Sequence, residues 1–327
     1  MHPFAYAAAP SAHAAVTHTA ERRGAEFIAG GTDMLQLLQE HVRAPEELID
    51  INRLPLGGIE TGPFGVRIGA LARMTEVAND PAIREHFPVV REALLSGASP
   101  QVRNMASIGG NLLQRTRCLY FRDVTTPCNR RVPGAGCAAL DGENRMHAIL
   151  GGSAHCIATY PGDFAVALAA LAAQVEIHGA HGDRTVPVED LHRPPDDAPD
   201  IETVLVPGDL ITGVVIPAAR VARRSHYLKV RDRASFEFAL ASAAVAVETD
   251  GDTVRDVRVA VGGVATTPLR LRHVEQLLLG RRLGAAEIRA AAARAAAGAH
   301  PRSRNGFKVR LLQRTVERAL QVLAGRP

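Results

Sequence analysis

The sequence AEFIAGGTDMLQLLQEHVRAPEELIDI, residues 25–51, decides the fold. The apolar residues 27–29 predict a short buried strand, and the glycine pair at 30–31 predicts a tight turn directly after it. A helix is predicted over residues 34–42 and a second strand over residues 48–51. Together they form a strand–turn–helix–strand unit with glycines at the junction between strand and helix.

The junction is a candidate anion-binding loop. Thr32 or Asp33 is predicted to cap the helix, because short polar side chains accept hydrogen bonds from the first helical amides. Glycines let a ligand approach the backbone closely, and the unpaired amides of the junction suit a pyrophosphate. A plain tight turn is an equally good interpretation of this motif alone. The absence of a G-x-G-x-x-G pattern argues against a Rossmann site.

A second glycine-containing stretch, ASPQVRNMASIGGNLLQRTR, covers residues 98–117 and is predicted to be a loop. The Ser107 side chain and the amides of Gly109, Gly110 and Asn111 are predicted to hold another part of a dinucleotide. Two such loops in one domain indicate a dinucleotide site more strongly than one loop does.

All four cysteines of the chain, Cys118, Cys128, Cys137 and Cys156, follow the second loop with the spacing C-x9-C-x8-C-x18-C. A structural zinc site normally uses closely spaced pairs of cysteines, which are missing here, and two disulfides would require an oxidising compartment. A [4Fe–4S] cluster takes four thiolates and tolerates wide spacing. The spacing favours a metal centre over disulfides without choosing the metal.

Five arginines surround the cysteines and are predicted to offset the negative charge of a thiolate cluster. They are Arg115, Arg117, Arg122, Arg130 and Arg131. A solvated basic loop is the simpler interpretation. His147 and His155, which flank the same region, are interpreted as surface or packing residues.

Composition excludes several classes of protein. Hydrophobic residues make up 46% and charged residues 22% of the 327 residues, which is typical of a globular chain with two or three domains. No apolar run reaches the roughly 20 residues of a membrane helix, and no signal peptide is predicted. With a net charge of only +4 and no Trp, no nucleic-acid partner is predicted. No catalytic triad, carboxylate pair or HExxH motif appears, so no catalytic residue is predicted.

The second half of the chain alternates between strands and helices. A buried helix is predicted over residues 164–173, the Pro/Asp-rich residues 192–200 are predicted to be a linker or surface loop, and the main domain boundary is placed at 219–224. Three strands and three helices are predicted beyond it. The last helix, over 305–323, has one apolar face that is predicted to pack on the core.

Three motifs in order carry a family resemblance: AEFIAGGTDML, VRNMASIGGNL and KVRDRASFEFALASAAV. Together they resemble the FAD-binding subunits of the xanthine dehydrogenase and carbon monoxide dehydrogenase family of molybdenum hydroxylases. The resemblance implies an α+β chain: a PCMH/CO-dehydrogenase-flavoprotein-type FAD-binding domain with two α/β subdomains, followed by a smaller α+β C-terminal domain. The implied domains cover residues 1–220, with subdomains at about 1–53 and 54–220, and residues 221–327.

The cysteine-bearing segment 114–158 is an insertion that most subunits of this family lack. It resembles the insertion in flavin subunits of bacterial periplasmic aldehyde oxidoreductases, and a comparable one occurs in 4-hydroxybenzoyl-CoA reductases. The resemblance implies a [4Fe–4S] cluster whose ligands are Cys118, Cys128, Cys137 and Cys156. It also implies the FAD contacts, which are Phe27, Ile28, Ala29, Gly30, Gly31, Thr32, Asp33, Met34, Ser107, Gly109, Gly110, Asn111, Asp163 and Lys229.

The implied function is electron transfer through FAD and [4Fe–4S] within a heterotrimeric molybdenum-containing aldehyde oxidoreductase. The implied partners are a large molybdopterin subunit, a small [2Fe–2S] subunit and an external electron acceptor. The compartment is either the periplasm, reached by co-export with a signal-bearing partner, or the cytoplasm. Three alternatives stay open: a stand-alone flavin oxidoreductase with a zinc-stabilised loop, a flavin subunit of a hydroxybenzoyl-CoA-reductase-like complex, and a non-catalytic assembly subunit.

Overall fold

The computed structural model describes residues 1–325, so the last two residues of the predicted C-terminal domain lie outside the described residues. Helices and strands alternate along the chain, which confirms the predicted α+β class. Three separate sheets organise the structure: one parallel sheet of three strands and two antiparallel sheets of five and four strands. No helix among the described residues is both long and apolar enough to cross a membrane.

The N-terminal unit is a three-stranded parallel sheet in which the third strand lies between the other two. The predicted helix of this unit ends early, because His41 adopts a φ of +58°, which a right-handed helix does not accommodate. The elements are β1 (Ala5–Ala8), α1 (Ala12–Glu21), β2 (Ala25–Ile28), α2 (Met34–Gln39) and β3 (Glu47–Asp50).

The middle unit is a five-stranded antiparallel sheet in the order β4-β5-β8-β6-β7, covered by helices. Its most buried helix is α9, of which every residue is shielded from solvent, in keeping with its Ala/Leu-rich sequence. The elements are β4 (Ile59–Gly62), β5 (Gly65–Gly69), α3 (Met74–Asn79), α4 (Pro81–His86), α5 (Pro88–Ser96), α6 (Pro100–Met105), α7 (Ile108–Leu112), α8 (Leu119–Arg122), α9 (Asp163–Ala170), β6 (Gln174–Gly179), β7 (Gly182–Pro187), α10 (Val188–Leu191) and β8 (Leu210–Pro217).

The prediction of one continuous loop over residues 98–117 is wrong, because α6 and α7 lie within it. Each helix begins after a serine whose hydroxyl accepts a backbone amide: Ser99 from Val102, and Ser107 from Gly110. These two N-caps supply the local stabilisation that the glycines of the second helix lack.

The C-terminal unit is a four-stranded antiparallel sheet in the order β12-β11-β10-β9. Its last helix buries Leu312, Val316, Ala319 and Leu320 on one face, which confirms that this face belongs to the core. The elements are α11 (Arg220–Arg223), β9 (Ser225–Val230), β10 (Ala241–Asp250), β11 (Thr253–Gly262), β12 (Leu269–Arg270), α12 (Arg272–Leu278), α13 (Ala285–Ala292) and α14 (Phe307–Leu323).

Candidate functional site

A cavity of about 1200 Å³ runs between the N-terminal and middle units. This volume exceeds the roughly 300–1000 Å³ of common small-molecule pockets, and suits a long ligand such as a dinucleotide. All fourteen residues predicted to contact the flavin line it, from both glycine stretches and from the positions after the insertion: Phe27, Ile28, Ala29, Gly30, Gly31, Thr32, Asp33, Met34, Ser107, Gly109, Gly110, Asn111, Asp163 and Lys229.

The first glycine loop presents unpaired backbone amides to this cavity. Among the described residues, no backbone acceptor pairs with the amides of Gly30, Gly31, Thr32 or Asp33. Gly31 has a φ of +71°, which turns the chain after β2. A Cβ on Gly30 would lie 1.9 Å from the carbonyl oxygen of Met105, so only glycine allows the two loops to pack this closely. Four consecutive amides beside a cavity suit an anionic group.

The second glycine stretch contributes side chains rather than backbone amides, which differs from the prediction. The amide of Gly109 donates to Ala70 at 2.8 Å, and that of Asn111 donates to Ser107 at 2.8 Å. The Asn111 Oδ1 atom, in contrast, is buried and has no hydrogen-bond partner among the described residues. An unpaired buried acceptor at a cavity wall is costly unless a ligand or a water molecule donates to it.

Asp163 and Lys229 form a buried ion pair at the cavity wall. Lys229 Nζ lies 2.7 Å from Asp163 Oδ2, and the Tyr227 hydroxyl donates to Asp163 Oδ1 at 2.6 Å. Gly162 occupies the N-cap of α9, and Asp163 is the first residue of this helix. The Lys229 side chain is only 3% exposed, so it is not a solvated strand residue. The pair ties α9 to β9 across the boundary between the middle and C-terminal units.

The four cysteines converge although they are far apart in sequence. All four line one small cavity, and none of them forms a disulfide. Cys128 and Cys137 face each other in an isolated antiparallel bridge, which brings two of the thiols together by backbone pairing. Burial raises the pKa of the Cys118 thiol to about 12, which disfavours at this residue the thiolate form that a metal centre would stabilise.

Hydrogen-bond donors are directed at the sulfur atoms. The amide of Ala158 donates to Cys156 Sγ at 3.4 Å, and Arg130 lines the same small cavity. His147 Nε2 lies 3.1 Å from Cys118 Sγ, so this histidine is within hydrogen-bonding distance of a thiol and is not only a surface or packing residue. Donors of this kind stabilise thiolate ligands of metal centres.

Most of the arginines around the cysteines bind carboxylates. Their predicted role of offsetting the negative charge of a thiolate cluster is therefore limited by these pairings. The Asp33 carboxylate accepts from the backbone amide of Arg115 at 2.7 Å and pairs with Arg117 at 2.8 Å and Arg122 at 2.9 Å. Because Asp33 is engaged in this way, it makes no capping bond to α2, and the predicted cap is absent. Arg131 donates to backbone carbonyls of residues 120, 121 and 126.

The insertion is also held by the C-terminal unit. The Asn305 side-chain amide donates to the carbonyls of His147 at 3.3 Å and Ala148 at 3.2 Å. Lys308 Nζ is buried and donates to Met146 at 2.9 Å and to Gly263 at 2.7 Å. These contacts join the segment before Cys156 to the start of α14.

His192 was missed, because the segment 192–200 was predicted to be a linker or surface loop. The residue is buried, lines the large cavity and lies 2.8 Å through Nε2 from the Leu112 carbonyl. Its ring packs against that of Tyr160 with the centroids 4.3 Å apart and the planes tilted by 53°, and Nδ1 has no partner among the described residues. The Pro/Asp-rich composition concealed it, and no signal in the sequence separates this histidine from the other twelve.

Two family models match consecutive parts of the chain. Residues 2–219 match the FAD binding domain in molybdopterin dehydrogenase, and residues 226–323 match the CO dehydrogenase flavoprotein C-terminal domain. Together they cover nearly the whole sequence.

Individual relatives agree with these models. The chain is 46% identical to the aldehyde oxidoreductase FAD-binding subunit PaoB of Escherichia coli, over 91% of both sequences. It is 27% identical to the glyceraldehyde dehydrogenase medium chain of Sulfolobus acidocaldarius, over 86% of this chain and 84% of that one. The structure of carbon monoxide dehydrogenase from Hydrogenophaga pseudoflava contains a chain that matches with a TM-score of 0.77 and 26% identity, covering 99% of this chain and 98% of that one.

Proposed function

Because this chain belongs to the family of FAD-binding subunits of molybdopterin dehydrogenases, we propose that it carries both FAD and a [4Fe–4S] cluster as the electron-transfer subunit of a molybdenum-containing aldehyde oxidoreductase. The family assignment makes it an oxidoreductase subunit with an FAD-binding domain. The aldehyde specificity follows the similarity to PaoB.

One observation carries the cluster proposal: four cysteines from separate turns of a 45-residue insertion line a single small cavity that adjoins the large one. The two cavities share Arg130, and Ala158 of the cysteine cavity is followed directly by Thr159 of the large one. A cluster bound here would lie next to a flavin bound in the large cavity. Short separation is what electron transfer between two centres requires.

We propose a cluster rather than a zinc ion for the cysteine cavity. Four sulfurs around one zinc would lie about 3.8 Å apart, given Zn–S bonds of about 2.3 Å. Among residues 1–325, no three His, Cys, Asp or Glu side chains lie close enough together to hold one ion. Four cysteines lining one cavity are the ligand set of a four-iron cluster, and this set supports the iron–sulfur interpretation.

The fit to FAD rests on the donors and acceptors of the large cavity. The free amides from Gly30 to Asp33 would hold the pyrophosphate, and the unpaired Asn111 Oδ1 would accept a donor of the flavin. The Asp163–Lys229 pair would orient the ligand beside α9. When bound, FAD takes up two electrons and a [4Fe–4S] cluster takes up one. This difference suits the two groups to relay electrons between redox centres.

The chain's own residues hold the redox groups, while the oxidation of aldehyde belongs to partners. We propose a large molybdopterin subunit and a small [2Fe–2S] subunit as those partners, and an external acceptor that receives electrons from FAD. The compartment of the complex depends on the partner subunits. It is the periplasm if one of them carries a twin-arginine signal, and the cytoplasm if none does.

Anaerobic co-purification with the products of neighbouring genes tests this function. We expect a complex with about one FAD, molybdenum, and iron in excess of the [2Fe–2S] subunit by about four per complex. A chain that retains FAD but has no molybdenum-containing partner would contradict the proposed complex. Zinc in place of the additional iron would favour the stand-alone flavin oxidoreductase.

A further inference from the structure

Arg130 stands between the cysteine cavity and the large cavity. Within the described part of the chain it is the one residue that lines both. It is only 8% exposed, and it lines the small cavity together with Cys156. Its Nη1 lies 3.2 Å from a carboxylate oxygen of Glu202, and its Nε has no partner among residues 1–325. A buried charge between two cavities acts on both with little screening by solvent.

We infer that Arg130 is a positioning residue that sets the difference in reduction potential between the cluster and the flavin. This inference rests on the proposed function. A positive charge next to a thiolate cluster stabilises the reduced form, which carries one more negative charge, and therefore raises the reduction potential. Hydrogen bonds to cluster sulfurs act in the same direction.

Glu202 is the matched opposite charge. It lines the large cavity, has a side chain that is 17% exposed against 8% for Arg130, and also pairs with the Arg115 guanidinium. Removing its charge leaves Arg130 with fewer negative neighbours and has the reverse electrostatic effect. Arg117 and Arg122 bind Asp33 or Glu40, and Arg131 donates to backbone carbonyls, so these three are held away from this position. Arg115 shares Glu202 with Arg130 but lines only the large cavity.

The contacts of the Arg130 guanidinium also differ from those of an arginine that only supports the fold. Its guanidinium fork pairs with the Glu202 carboxylate through Nη1, while its unpaired Nε is available for a further acceptor at the boundary of the two cavities. Lysine carries the same charge as one compact group without this fork. Charge and geometry are therefore separable by substitution.

The test is an anaerobic potentiometric titration of the purified holocomplex. The cluster is followed by electron paramagnetic resonance and the flavin by absorbance, in wild type, Arg130→Met, Arg130→Lys and Glu202→Gln. We expect Arg130→Met to lower the cluster potential, Glu202→Gln to raise it, and Arg130→Lys to lower it by less than the methionine variant. Arg145→Met is the charge-matched control, because Arg145 is half-exposed, pairs with Asp232 and lines neither cavity.

Iron and sulfide are measured first in the wild type, so that failure of the proposed function is seen separately. If the wild-type protein has no cluster, both the proposed function and the role of Arg130 are overturned. A wild type with a cluster whose potential is the same in Arg130→Met, Glu202→Gln and Arg145→Met overturns the role of Arg130 alone. If Arg130→Met does not retain its cluster, the opposite shifts expected of Arg130→Lys and Glu202→Gln decide the question.

Discussion

The carboxylate of Asp33 accepts a hydrogen bond from the backbone amide of Arg115 at 2.7 Å, across 82 positions of sequence. Asp33 belongs to the first glycine loop, and Arg115 is the second residue of the cysteine insertion. The same carboxylate pairs with Arg117 and Arg122, so the insertion starts directly on the cavity wall.

Asp33→Ala should therefore loosen the insertion. Charge-assisted hydrogen bonds to a largely buried carboxylate predict a loss of about 2–4 kcal/mol in the free energy of unfolding, together with a lower iron content. Glu40→Ala is the control, because the Glu40 side chain is 38% exposed and contacts only Arg122 of this group, an arrangement worth about 0–1 kcal/mol. Chemical unfolding and iron analysis measure both variants. Equal losses in the two would refute the special role of Asp33.

The buried ion pair of Asp163 and Lys229 should show strong coupling. Lys229→Met leaves the carboxylate buried without its cation, which costs about 3–5 kcal/mol and should release FAD on desalting. Asp163→Asn with Lys229→Met removes both charges and should recover a large part of the stability. A double-mutant cycle from thermal or chemical unfolding measures this, and simple additivity of the single variants would contradict it.

Gly30 should tolerate no side chain. Gly30→Ala places a Cβ 1.9 Å from the Met105 carbonyl oxygen, so the two cavity loops must separate and FAD retention should fall at least tenfold, about 1.4 kcal/mol in affinity. Gly57→Ala is the matched control, because nothing lies within 4 Å of its Cβ position. Flavin fluorescence after equilibrium dialysis compares the two, and similar affinities would show that the loops do not hold FAD.

His192 should make stability dependent on pH. Burial lowers the pKa of His192 to about 4, whereas an unfolded histidine titrates near 6.5. Below pH 6.5 the unfolded chain binds the proton first, so the stability conferred by the neutral form is lost as the pH falls towards 4. Between pH 7 and 5 we expect a loss of about 2 kcal/mol that His192→Gln does not show. Parallel slopes of the two proteins in chemical unfolding would exclude this assignment.

Local patterns predicted the parts of the fold that depend on neighbouring residues. The strand–turn–helix–strand unit around Gly30 and the apolar face of α14 follow from short-range periodicity, and both are present. The second glycine stretch was misjudged, because the caps at Ser99 and Ser107 outweigh the low helix propensity of the glycines.

Long-range partners set the details that the patterns did not contain. Whether Asp33 caps a helix or binds an arginine depends on residues 82 positions or more away. Lys229 resembles a solvated strand residue until α9 supplies Asp163, and the segment of His192 resembles a linker until the cavity forms around it. Such choices are made by tertiary packing, which overrides local propensity.

The central claim is that the cysteine cavity holds a [4Fe–4S] cluster, and the metal content of the protein tests this claim most directly. Anaerobically purified protein should contain about four iron atoms and four acid-labile sulfides per chain in addition to those of any partner, as a cubane requires. Cys128→Ser should lower both together, because Cys128 is buried at the cavity wall. A chain that binds zinc, or that carries no more iron than its partners account for, would contradict the account.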